Sequence, residues 1–525
     1  MEFRLLILAL FSVLMSTSNG AEILALFPIH GISNYNVAEA LLKTLANRGH
    51  NVTVVTSFPQ KKPVPNLYEI DVSGAKGLAT NSIHFERLQT IIQDVKSNFK
   101  NMVRLSRTYC EIMFSDPRVL NIRDKKFDLV INAVFGSDCD AGFAWKSQAP
   151  LISILNARHT PWALHRMGNP SNPAYMPVIH SRFPVKMNFF QRMINTGWHL
   201  YFLYMYFYYG NGEDANKMAR KFFGNDMPDI NEMVFNTSLL FVNTHFSVDM
   251  PYPLVPNCIE IGGIHVKEPQ PLPLEIQKFM DEAEHGVIFF TLGSMVRTST
   301  FPNQTIQAFK EAFAELPQRV LWKFENENED MPSNVLIRKW FPQNDIFGHK
   351  NIKAFISHGG NSGALEAVHF GVPIIGIPLF YDQYRNILSF VKEGVAVLLD
   401  VNDLTKDNIL SSVRTVVNDK SYSERMKALS QLFRDRPMSP LDTAVYWTEY
   451  VIRHRGAHHL KTAGAFLHWY QYLLLDVITF LLVTFCAFCF IVKYICKALI
   501  HHYWSSSKSE KLKKNSAWSH PQFEK

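Results

Sequence analysis

Cysteine is scarce in this chain, and its few cysteines are poorly placed for a disulfide framework. Of the six cysteines in 525 residues, three lie in or beside a long apolar run near the C-terminus. The other three are Cys110, Cys139 and Cys258. A small domain held together by several disulfides needs an even set of cysteines, so three thiols exclude that class of protein.

A basic stretch interleaved with aromatic residues is also missing, which argues against a nucleic-acid partner. The net charge of +7 comes partly from a lysine-rich C-terminal tail. Charged residues make up 19% of the chain and apolar residues 47%, a composition that excludes general disorder. The length is sufficient for two or three folded domains.

Both ends of the chain carry signals of a secretory, membrane-anchored protein. Residues 1–20 contain one early cation, an apolar run and then small polar residues, the pattern of a cleaved signal peptide. Residues 470–492 are apolar and about long enough for a helix that crosses a hydrocarbon core of roughly 30 Å. The lysine-rich tail at 493–515 is expected in the cytosol by the positive-inside rule. The bulk of the chain is therefore predicted in the lumen.

Two smaller features, the glycan acceptors and a retrieval-like end, agree with this route. Asn51, Asn236 and Asn303 begin triplets that accept N-glycans. Residues 516–525, SAWSHPQFEK, are identified as a linker and a streptavidin-binding tag and are left out of the fold. Without them the chain would end in KLKKN, which resembles a retrieval signal for the endoplasmic reticulum. We predict a single-pass type I protein of that membrane, with its catalytic domains in the lumen.

Strand-like and helix-like segments alternate along most of the chain. The first series of strands reads EILALF, NVTVVT, FDLVIN and PLISIL, and the second reads GVIFFTLGS, RVLWKF, VLIRKWF, IKAFISH, VPIIGIP and AVLLD. Such alternation predicts parallel sheets with helices on both faces. The fold class is thus predicted as α/β, with two doubly wound, Rossmann-like domains and one C-terminal transmembrane helix.

The predicted domains follow from this alternation and from one proline-rich segment. The first domain spans 21–264, a connector with clustered prolines spans 265–283, and the second domain spans 284–441. Residues 442–469 are interpreted as a return helix and a juxtamembrane segment.

Residues 188–209, NFFQRMINTGWHLYFLYMYFYY, depart from the pattern. They are too aromatic for a clean spanning helix, and Arg192, Gly197 and His199 interrupt them. Two interpretations have equal weight: an aromatic wall of a ligand pocket, and a segment that dips into the lumenal face of the membrane. An ordinary core helix is the third.

A glycine-rich turn at the end of one predicted strand indicates a phosphate site. The strand KAFIS ends at His358, and Gly360 and Gly363 let the chain turn tightly into a helix. Backbone N–H groups at such a helix start point beyond the strand, which suits a pyrophosphate. His358 could itself donate a hydrogen bond to a phosphate oxygen.

Neighbouring residues suit the rest of a nucleotide sugar. Trp340 offers a flat face for a base, and Gln343 and Glu366 could bind ribose hydroxyls. Asp382 and Gln383 could bind the hydroxyls of a sugar. Each residue alone has an ordinary interpretation, such as a core position for Trp340 or a solvated helix face for Glu366. Their joint order and spacing give the pattern its meaning.

This stretch resembles the signature of the inverting UDP-glycosyltransferases, whose fold of two Rossmann-like domains is the GT-B type. The resemblance also covers the signal peptide, the C-terminal span and the lysine-rich tail. It implies that Trp340 stacks on uracil, that Gln343 and Glu366 hold the ribose, and that His358 and the turn at Ser294 bind the diphosphate. The donor-binding residues that it implies are Ser294, Trp340, Gln343, His358, Gly360, Ser362, Gly363, Glu366, Asp382 and Gln383. Many relatives have asparagine where this chain has Ser362, whose hydroxyl can still donate.

The first half departs from the family pattern at its catalytic base. The resemblance implies a histidine in the first strand-to-helix loop and an acidic residue, after a later strand, that orients it. Alignment on Arg48-Gly49-His50 places Asn34 at the histidine and Ala133 at the acid. Neutral asparagine is no base near pH 7, and a positioned base contributes about 10²- to 10⁴-fold. Asn34 is therefore predicted to orient the acceptor.

Several other residues remain weak candidates for a base or for an acceptor contact. His30 and Asp138 are candidate bases, as are two histidines of the loop NARHTPWALHR, where two arginines could meet an acceptor carboxylate: His159, His165, Arg158 and Arg166. For each histidine, an ordinary surface position is the favoured interpretation.

A polyphenol is an acceptor that needs little help from a base. Its phenolate makes neighbouring ring carbons nucleophilic, so such a carbon can attack the sugar directly. Resemblance to insect members of the family implies an inverting C-glucosylation of an anthraquinone of the flavokermesic or kermesic acid type, on the way to carminic acid. The alternatives are a broad O-glucosylating detoxification enzyme with a displaced base, and a transferase-like binding protein with weak catalysis.

The predicted partners follow from the predicted C-glucosylation. UDP-glucose is the expected co-substrate, because Asp382 and Gln383 suit glucose, whereas glucuronate would call for a cation near C6. A hydrophobic aromatic acceptor and membrane lipid are the other expected partners, and a homo-oligomer is left open. No metal and no further cofactor is expected.

Overall fold

The computed structural model describes residues 20–28, 31–74, 81, 83–86, 88 and 95–517. The predicted signal peptide up to residue 19 and residues 518–525 of the predicted tag lie outside these ranges. Two compact units divide the chain between Ala465 and Phe466. The first unit contains both sheets, and the second contains the C-terminal helices.

Seven parallel strands form the first sheet, in the order β3-β2-β1-β4-β5-β6-β7. Its strands are β1 (Glu22–Phe27), β2 (Asn51–Thr56), β3 (Leu67–Asp71), β4 (Leu129–Ala133), β5 (Leu151–Leu155), β6 (Leu239–Val242) and β7 (Cys258–Glu260). Four of them were predicted from continuous apolar runs, which are typical of strands buried on both faces. Of the other three, β6 and β7 have only four and three residues, and β3 is partly exposed along its length, so their patterns were weak.

Helices cover both faces of this sheet. They are α1 (Ile32–Asn47), α2 (Val95–Ser115), α3 (Pro117–Ile122), α4 (Gly142–Ser147), α5 (Pro161–Arg166), α6 (Phe189–Tyr204), α7 (Glu213–Phe223) and α8 (Ile230–Val234). A π-helical turn, Met205–Gly210, continues α6. The aromatic segment at 188–209 is thus a helix with a π turn at its end.

Six parallel strands form the second sheet, in the order β10-β9-β8-β11-β12-β13. Its strands are β8 (Val287–Thr291), β9 (Arg319–Lys323), β10 (Val335–Arg338), β11 (Ile352–Ser357), β12 (Ile374–Gly376) and β13 (Ala396–Leu398). Its helices are α9 (Leu274–Asp281), α10 (Asn303–Ala314), α11 (Gln343–Phe347), α12 (Asn361–Phe370), α13 (Gln383–Lys392), α14 (Lys406–Asn418) and α15 (Lys420–Arg434). All six strands of the second predicted series are present.

Both sheets reverse their strand order next to their first strand. In the first sheet β1 lies between β2 and β4, and in the second β8 lies between β9 and β11. Ligands of doubly wound sheets bind in the crevice beyond the carboxyl ends of the strands at such a reversal. The loops after β1, β8 and β11 are therefore the expected positions of a site.

The helix α16 (Pro440–Arg453) returns to the first sheet and packs against α1. Ala444, Val445 and Val451 are buried in the same core as β1 and α1. Arg48 at the end of α1 donates to Glu449 at 2.6 Å. The predicted return helix therefore packs on the first half of the chain.

The second unit differs in detail from the predicted span at 470–492. A short helix, α17 (Trp469–Tyr472), precedes the long helix α18 (Leu475–Ala517), and Leu474 between them has a left-handed φ of 55°. The candidate membrane helix therefore begins at Leu475, and the predicted tail at 493–515 continues the same helix. At 1.5 Å per residue, α18 is about 60 Å long, roughly twice a hydrocarbon core. It is long and apolar enough to cross a membrane.

Two of the three remaining cysteines form a disulfide, which the sequence pattern did not predict. Cys110 on α2 is bonded to Cys139 after β4, with Cα atoms 6.4 Å apart. Cys258 is buried and free. One bond is not a framework, but it joins α2 to the loop that follows β4.

The three predicted glycan acceptors differ in their surroundings. Asn236 and Asn303 are exposed. Asn51 is partly buried, and its Nδ2 donates to Oε1 of Glu22 at 2.7 Å. Because a glycan is attached to that nitrogen, the surroundings favour Asn236 and Asn303 as acceptors.

Candidate active site

One cavity of about 300 Å³ lies beyond the strand ends of both sheets. All ten donor residues predicted from the sequence line it, and so does Asn34 after β1. Its volume is at the lower end of the usual range for ligand pockets. The strand order thus brings the motif of the second half and the first loop of the first half to one site.

Two glycines leave room for the ring of His358 at the end of β11. A Cβ atom at Gly293, where φ is +81°, would lie 2.7 Å from Cε1 of His358. A Cβ atom at Gly360 would lie 2.5 Å from Nε2 of the same ring. Real Cβ atoms do not approach a ring so closely, so the histidine requires glycine on both sides. This explains why a glycine precedes Ser294 in one loop and why another follows His358.

The first turn of α12 is suited to an anion. Gly360 is its N-cap and offers no side chain to satisfy the first N–H groups. These groups and the helix dipole favour negative charge at this end of a helix. Gly360 and Gly363 both line the cavity, so a diphosphate could bind there.

The surroundings of His358 favour the neutral form of its ring. Burial lowers its pKa to about 4, and the nearby cation Lys323 adds to this effect. Its Nδ1 is buried without a hydrogen-bond partner among the described residues. Lys323, which also lines the cavity, pairs with Glu325 at 2.9 Å. The positive charge nearest to this ring therefore belongs to the lysine.

Gln343 and Glu366 meet directly in the cavity, where the resemblance places the ribose. Nε2 of Gln343 donates to Oε2 of Glu366. Burial raises the pKa of Glu366 to about 7. The buried His265 lies 3.5 Å from the second carboxylate oxygen and 3.1 Å from the carbonyl oxygen of Ser362. The interpretation of Glu366 as part of a solvated helix face is therefore wrong.

Trp340 is 56% exposed although its ring lines the cavity. A core role would bury this large apolar ring, so that interpretation is wrong. An open ring at the mouth of a polar site can stack on a planar base. The position agrees with the predicted contact to uracil.

Asp382 and Gln383 lie at the start of α13. Oε1 of Gln383 accepts from the backbone N–H groups of Leu379 and Phe380, at 2.8 and 3.0 Å. Oδ2 of Asp382 accepts from Asn386 at 2.9 Å, and burial raises the pKa of its carboxyl group. These bonds fix both side chains in the cavity lining, where an amide and a carboxyl group could bind sugar hydroxyls.

Asn34 belongs to a hydrogen-bond chain that joins the two halves of the protein. Nδ2 of Asn156, just after β5, donates to Oδ1 of Asn34 and to the carbonyl oxygen of Ser33, both at 2.9 Å. Oδ1 of Asn156 accepts from Asn243 at 2.7 Å and from the hydroxyl of Ser362 at 3.2 Å. The oxygen of Asn34 is thus occupied, and its NH₂ group remains as a donor.

The acceptor side of the cavity has an apolar wall with one histidine in it. The wall residues from the first half are Met102, Leu105, Tyr109, Val134, Phe135, Leu155, Ala157, Trp162, Ile179 and His180. His180 stacks on Phe202 with ring centroids 4.7 Å apart. Burial lowers its pKa to about 4, and neither ring nitrogen has a partner among the described residues. A flat aromatic acceptor fits such a wall, and His180 could bind one of its polar groups.

Asp138, a weak candidate base, lies outside the cavity. Its carboxylate and Arg166 form a pair with 0% exposure of either side chain, at 2.8 Å. The hydroxyl of Tyr206 and Nδ2 of Asn211 also donate to it, at 2.8 and 2.9 Å. These bonds hold the carboxylate in the core, so neither Asp138 nor Arg166 can reach an acceptor.

Arg158, His159 and His165 also do not line the cavity. His159 is buried against Tyr252, 4.3 Å between centroids, and burial lowers its pKa to about 4. Arg158 pairs with the buried Asp249 at 2.7 Å. His165 packs edge-on against the ring of Phe207, and His30 lies outside the described residues.

Three residues of the site were missed in the sequence. Asn156 is the first polar residue after the predicted strand PLISIL, and Lys323 lies in the predicted strand RVLWKF and ends the observed strand β9. Both positions are strand ends, which could have indicated a site. His180 follows an irregular proline-containing segment and carries no comparable signal.

The chain matches the family model described as UDP-glucoronosyl and UDP-glucosyl transferase over residues 23–510. It is 39% identical to the UDP-glycosyltransferase UGT5 of Dactylopius coccus, over 95% of this chain and 98% of that relative. It is 32% identical to the UDP-glucuronosyltransferase 2B16 of Oryctolagus cuniculus, over 91% and 94%. Both relatives are aligned nearly from end to end.

Solved structures agree on the fold. CalG4, the calicheamicin glycosyltransferase, gives a TM-score of 0.55 at 16% identity, over 83% of this chain and 99% of that one. A UDP-glucose:anthocyanidin 3-O-glucosyltransferase in complex with UDP gives 0.53 at 14%, over 83% and 100%. The predicted α/β fold of the GT-B type is confirmed. The chain belongs to the UDP-glucoronosyl and UDP-glucosyl transferase family and is a glycosyltransferase that uses a UDP-sugar donor.

Proposed function

We propose that the protein transfers glucose from UDP-glucose to a ring carbon of a flat, acidic polyphenol, an anthraquinone such as flavokermesic or kermesic acid. The observation that carries this proposal is the polarity of Asn34. Its oxygen accepts from Asn156, so it offers a donor where the family pattern has a base. An amide NH₂ group binds an oxygen that has already lost its proton, as in a phenolate.

The proposed reaction needs no base to ionise the acceptor. The phenolate pushes an electron pair through its ring, and the adjacent ring carbon bonds to C1 of glucose. The bond from C1 to the diphosphate oxygen breaks, and UDP leaves with that electron pair. The ring carbon then loses its proton to water, which restores the aromatic ring. Attack opposite the leaving UDP inverts C1.

The groups around the diphosphate support a reaction without a metal cofactor. Lys323, the first turn of α12 and the neutral ring of His358 face the cavity. Together they offer one full charge and several donors to the leaving group. For the sugar, Asp382 and Gln383 supply one carboxylate and one amide, which suits the hydroxyls of glucose better than the carboxylate of glucuronate.

We also propose that the two domains act in the lumen of the endoplasmic reticulum. The disulfide between Cys110 and Cys139 supports an oxidising compartment. Exposed Asn236 and Asn303 support access to the glycosylation machinery. The helix α18 supplies the membrane anchor in this proposal.

A second candidate is O-glucosylation of phenols with a displaced base. His180 favours it, because this ring lines the cavity and both of its nitrogens lack a partner among the described residues. A neutral histidine can take a proton from a phenolic hydroxyl.

Analysis of the product separates the two candidates. Membranes that contain the full chain are incubated with UDP-glucose and an anthraquinone acid, and the product is treated with acid and with a β-glucosidase. We expect a glucoside that resists both treatments, because a C–C bond is not hydrolysed. A cleavable product would refute C-transfer and support the second candidate. Glu366→Ala serves as the donor-site control, and UDP-glucuronate in place of UDP-glucose tests the sugar.

A further inference from the structure

Tyr381 has an unusual backbone for a bulky residue. Its φ is +54°, in the left-handed region that glycine and asparagine adopt readily and that a large side chain rarely adopts. A residue is kept in such a conformation only where its surroundings hold it, and such residues cluster at functional sites. Glycine would avoid the strain, so the tyrosine side chain calls for an explanation of its own.

The loop around Tyr381 holds this backbone in place. Oε1 of Gln383 accepts from the N–H groups of Leu379 and Phe380, so the loop closes on the first residue of α13. The N–H group of Gln383 donates in turn to the carbonyl oxygen of Phe380 at 3.3 Å. Tyr381 thus lies inside a closed turn, directly before Asp382. The loop that carries its ring is the one that presents the predicted sugar-binding pair.

The ring of Tyr381 reaches from the second half of the chain into the first. It packs against the apolar core of the second sheet and also against the core of the first half that contains the apolar wall of the acceptor side. It lies edge-on to the ring of His180, with centroids 6.4 Å apart and ring planes at 75°. Both rings line the cavity. A residue of the donor half therefore continues the acceptor wall.

The rings of Tyr381 and His180 form a corner of the cavity. Because their planes are nearly perpendicular, an acceptor ring that is parallel to one of them is edge-on to the other. Both arrangements are favourable between aromatic rings. A flat ring system can make both contacts along its whole length, whereas a bent one cannot. The ring of His180 is itself held by stacking on Phe202, so the corner has a fixed side against which an acceptor can be oriented.

We propose that Tyr381 is a specificity-determining residue, which together with His180 selects flat polycyclic acceptors and holds them beside the sugar. Three observations carry this proposal: the left-handed backbone, the place of the ring in the cavity lining, and its contact with His180. The acceptor class rests on the proposed function, but the contact with the acceptor does not depend on which atom of the acceptor attacks. The competing explanation is that the ring only fills space between the two halves.

Two flavonoids allow a test that depends on flatness alone. Apigenin is flat, whereas naringenin has the same hydroxyl groups but a saturated carbon that turns one ring out of the plane. Calorimetry with the full chain gives the Kd of each compound in the presence of UDP, so no sugar is transferred. We expect the unchanged chain to bind apigenin more tightly. In Tyr381→Gly this preference should fall about 2- to 12-fold, the contribution of one aromatic contact.

Gln148→Gly is the matched control for the backbone. Gln148 has the same φ of +54° as Tyr381, but it is exposed at the end of α4 and is not among the residues that line the cavity. Both substitutions relieve a left-handed residue, and only Tyr381→Gly removes a ring from the site. We expect Gln148→Gly to keep the preference for apigenin, and both variants to bind UDP as the unchanged chain does.

Two further variants separate the flat ring from the volume of the side chain. Tyr381→Phe keeps the ring and should keep the preference for apigenin. Tyr381→Leu fills much of the same space without a ring and should lower the preference as Tyr381→Gly does.

The proposal is overturned if the unchanged chain does not prefer apigenin, or if the preference survives in Tyr381→Gly and Tyr381→Leu. An equal loss of both flavonoids together with weaker UDP binding also overturns it, because that is the result expected of a ring that only fills space. Failure of the proposed function has a different signature, a β-glucosidase-sensitive product from a chain whose preference for flat acceptors still depends on Tyr381.

Discussion

The amide of Asn34 is expected to bind the acceptor as a hydrogen-bond donor, and two substitutions isolate this role. Asn34→Ala removes the donor. Asn34→Asp keeps the shape and still accepts from Nδ2 of Asn156, but it presents a second oxygen in place of the NH₂ group. The pair therefore changes the polarity of one position while the rest of the hydrogen-bond chain, from Asn156 to Ser362, stays in place.

The size of the effect follows from the bond that is lost. A hydrogen bond to a charged group contributes about 1.5–3 kcal/mol, so Asn34→Ala should lower kcat/KM for C-transfer about 10- to 150-fold. Asn34→Asp should lower it further, because a carboxylate repels a phenolate and also loses the donor. Local damage should be small, since Nδ2 of Asn156 still donates to the carbonyl oxygen of Ser33 at 2.9 Å.

Steady-state kinetics with UDP-glucose and an anthraquinone acid measure these changes, with calorimetric binding of UDP-glucose as the control for the donor site. Both variants should bind the donor as the unchanged chain does. If Asn34→Asp is as active as the unchanged chain, or more active, a base is what the site lacks and the donor role is refuted. If Asn34→Ala removes all activity while donor binding is intact, Asn34 does more than orient the acceptor.

Three further predictions concern the base, the ribose site and the buried ion pair. Asn34→His combined with Ala133→Asp should restore a base with its orienting acid and raise O-transfer to simple phenols by about 10²-fold or more, measured as a β-glucosidase-sensitive product. Because burial raises the pKa of Glu366 to about 7, protonation below pH 7 replaces its carboxylate by a carboxyl group, which accepts hydrogen bonds more weakly. The affinity for UDP-glucose should therefore fall by up to about tenfold per pH unit below that value, while Glu366→Gln should bind weakly at every pH; a flat profile in the unchanged chain would contradict this. Asp138→Ala leaves the fully buried Arg166 unpaired, and should lower stability by about 3–5 kcal/mol in thermal unfolding. Adding Arg166→Met should recover part of this lost stability. If Asp138→Ala instead loses activity while its stability is unchanged, Asp138 has a catalytic role and this interpretation is wrong.

The donor side of the site could be predicted because its residues are close in sequence. Nine of the ten predicted residues lie between Trp340 and Gln383, and all ten line the cavity. Each strand end and helix start in that stretch is marked by a local pattern, such as the apolar strand before His358 and the glycines after it. Local patterns of this kind also predicted the strands of both sheets, apart from the partly exposed β3 and the short β6 and β7.

The acceptor side could not be predicted in the same way, because distant loops build it. Asn156 meets Asn34 across 122 residues of sequence, and the disulfide joins residues 29 positions apart. Asp138 follows a strand and looked available for catalysis. Its pairing with Arg166 depends on how α5 packs, which no local pattern records. The direction in which the amide group of Asn34 points is likewise set by its hydrogen-bond partner Asn156, which is distant in sequence.

Two of the three departures from the family pattern, Asn34 and Ser362, lie at opposite ends of one hydrogen-bond chain. The hydroxyl of Ser362 and Nδ2 of Asn243 both donate to Oδ1 of Asn156, which turns the NH₂ group of Asn156 toward Asn34. The NH₂ group of Asn156 donates to the oxygen of Asn34. The NH₂ group of Asn34 is then left to donate to the acceptor. A base at position 34 would instead need a free lone pair facing the acceptor. Ser362 in the donor loop and Asn34 in the acceptor loop therefore support the same polarity, the one that the proposed transfer to an ionised acceptor requires.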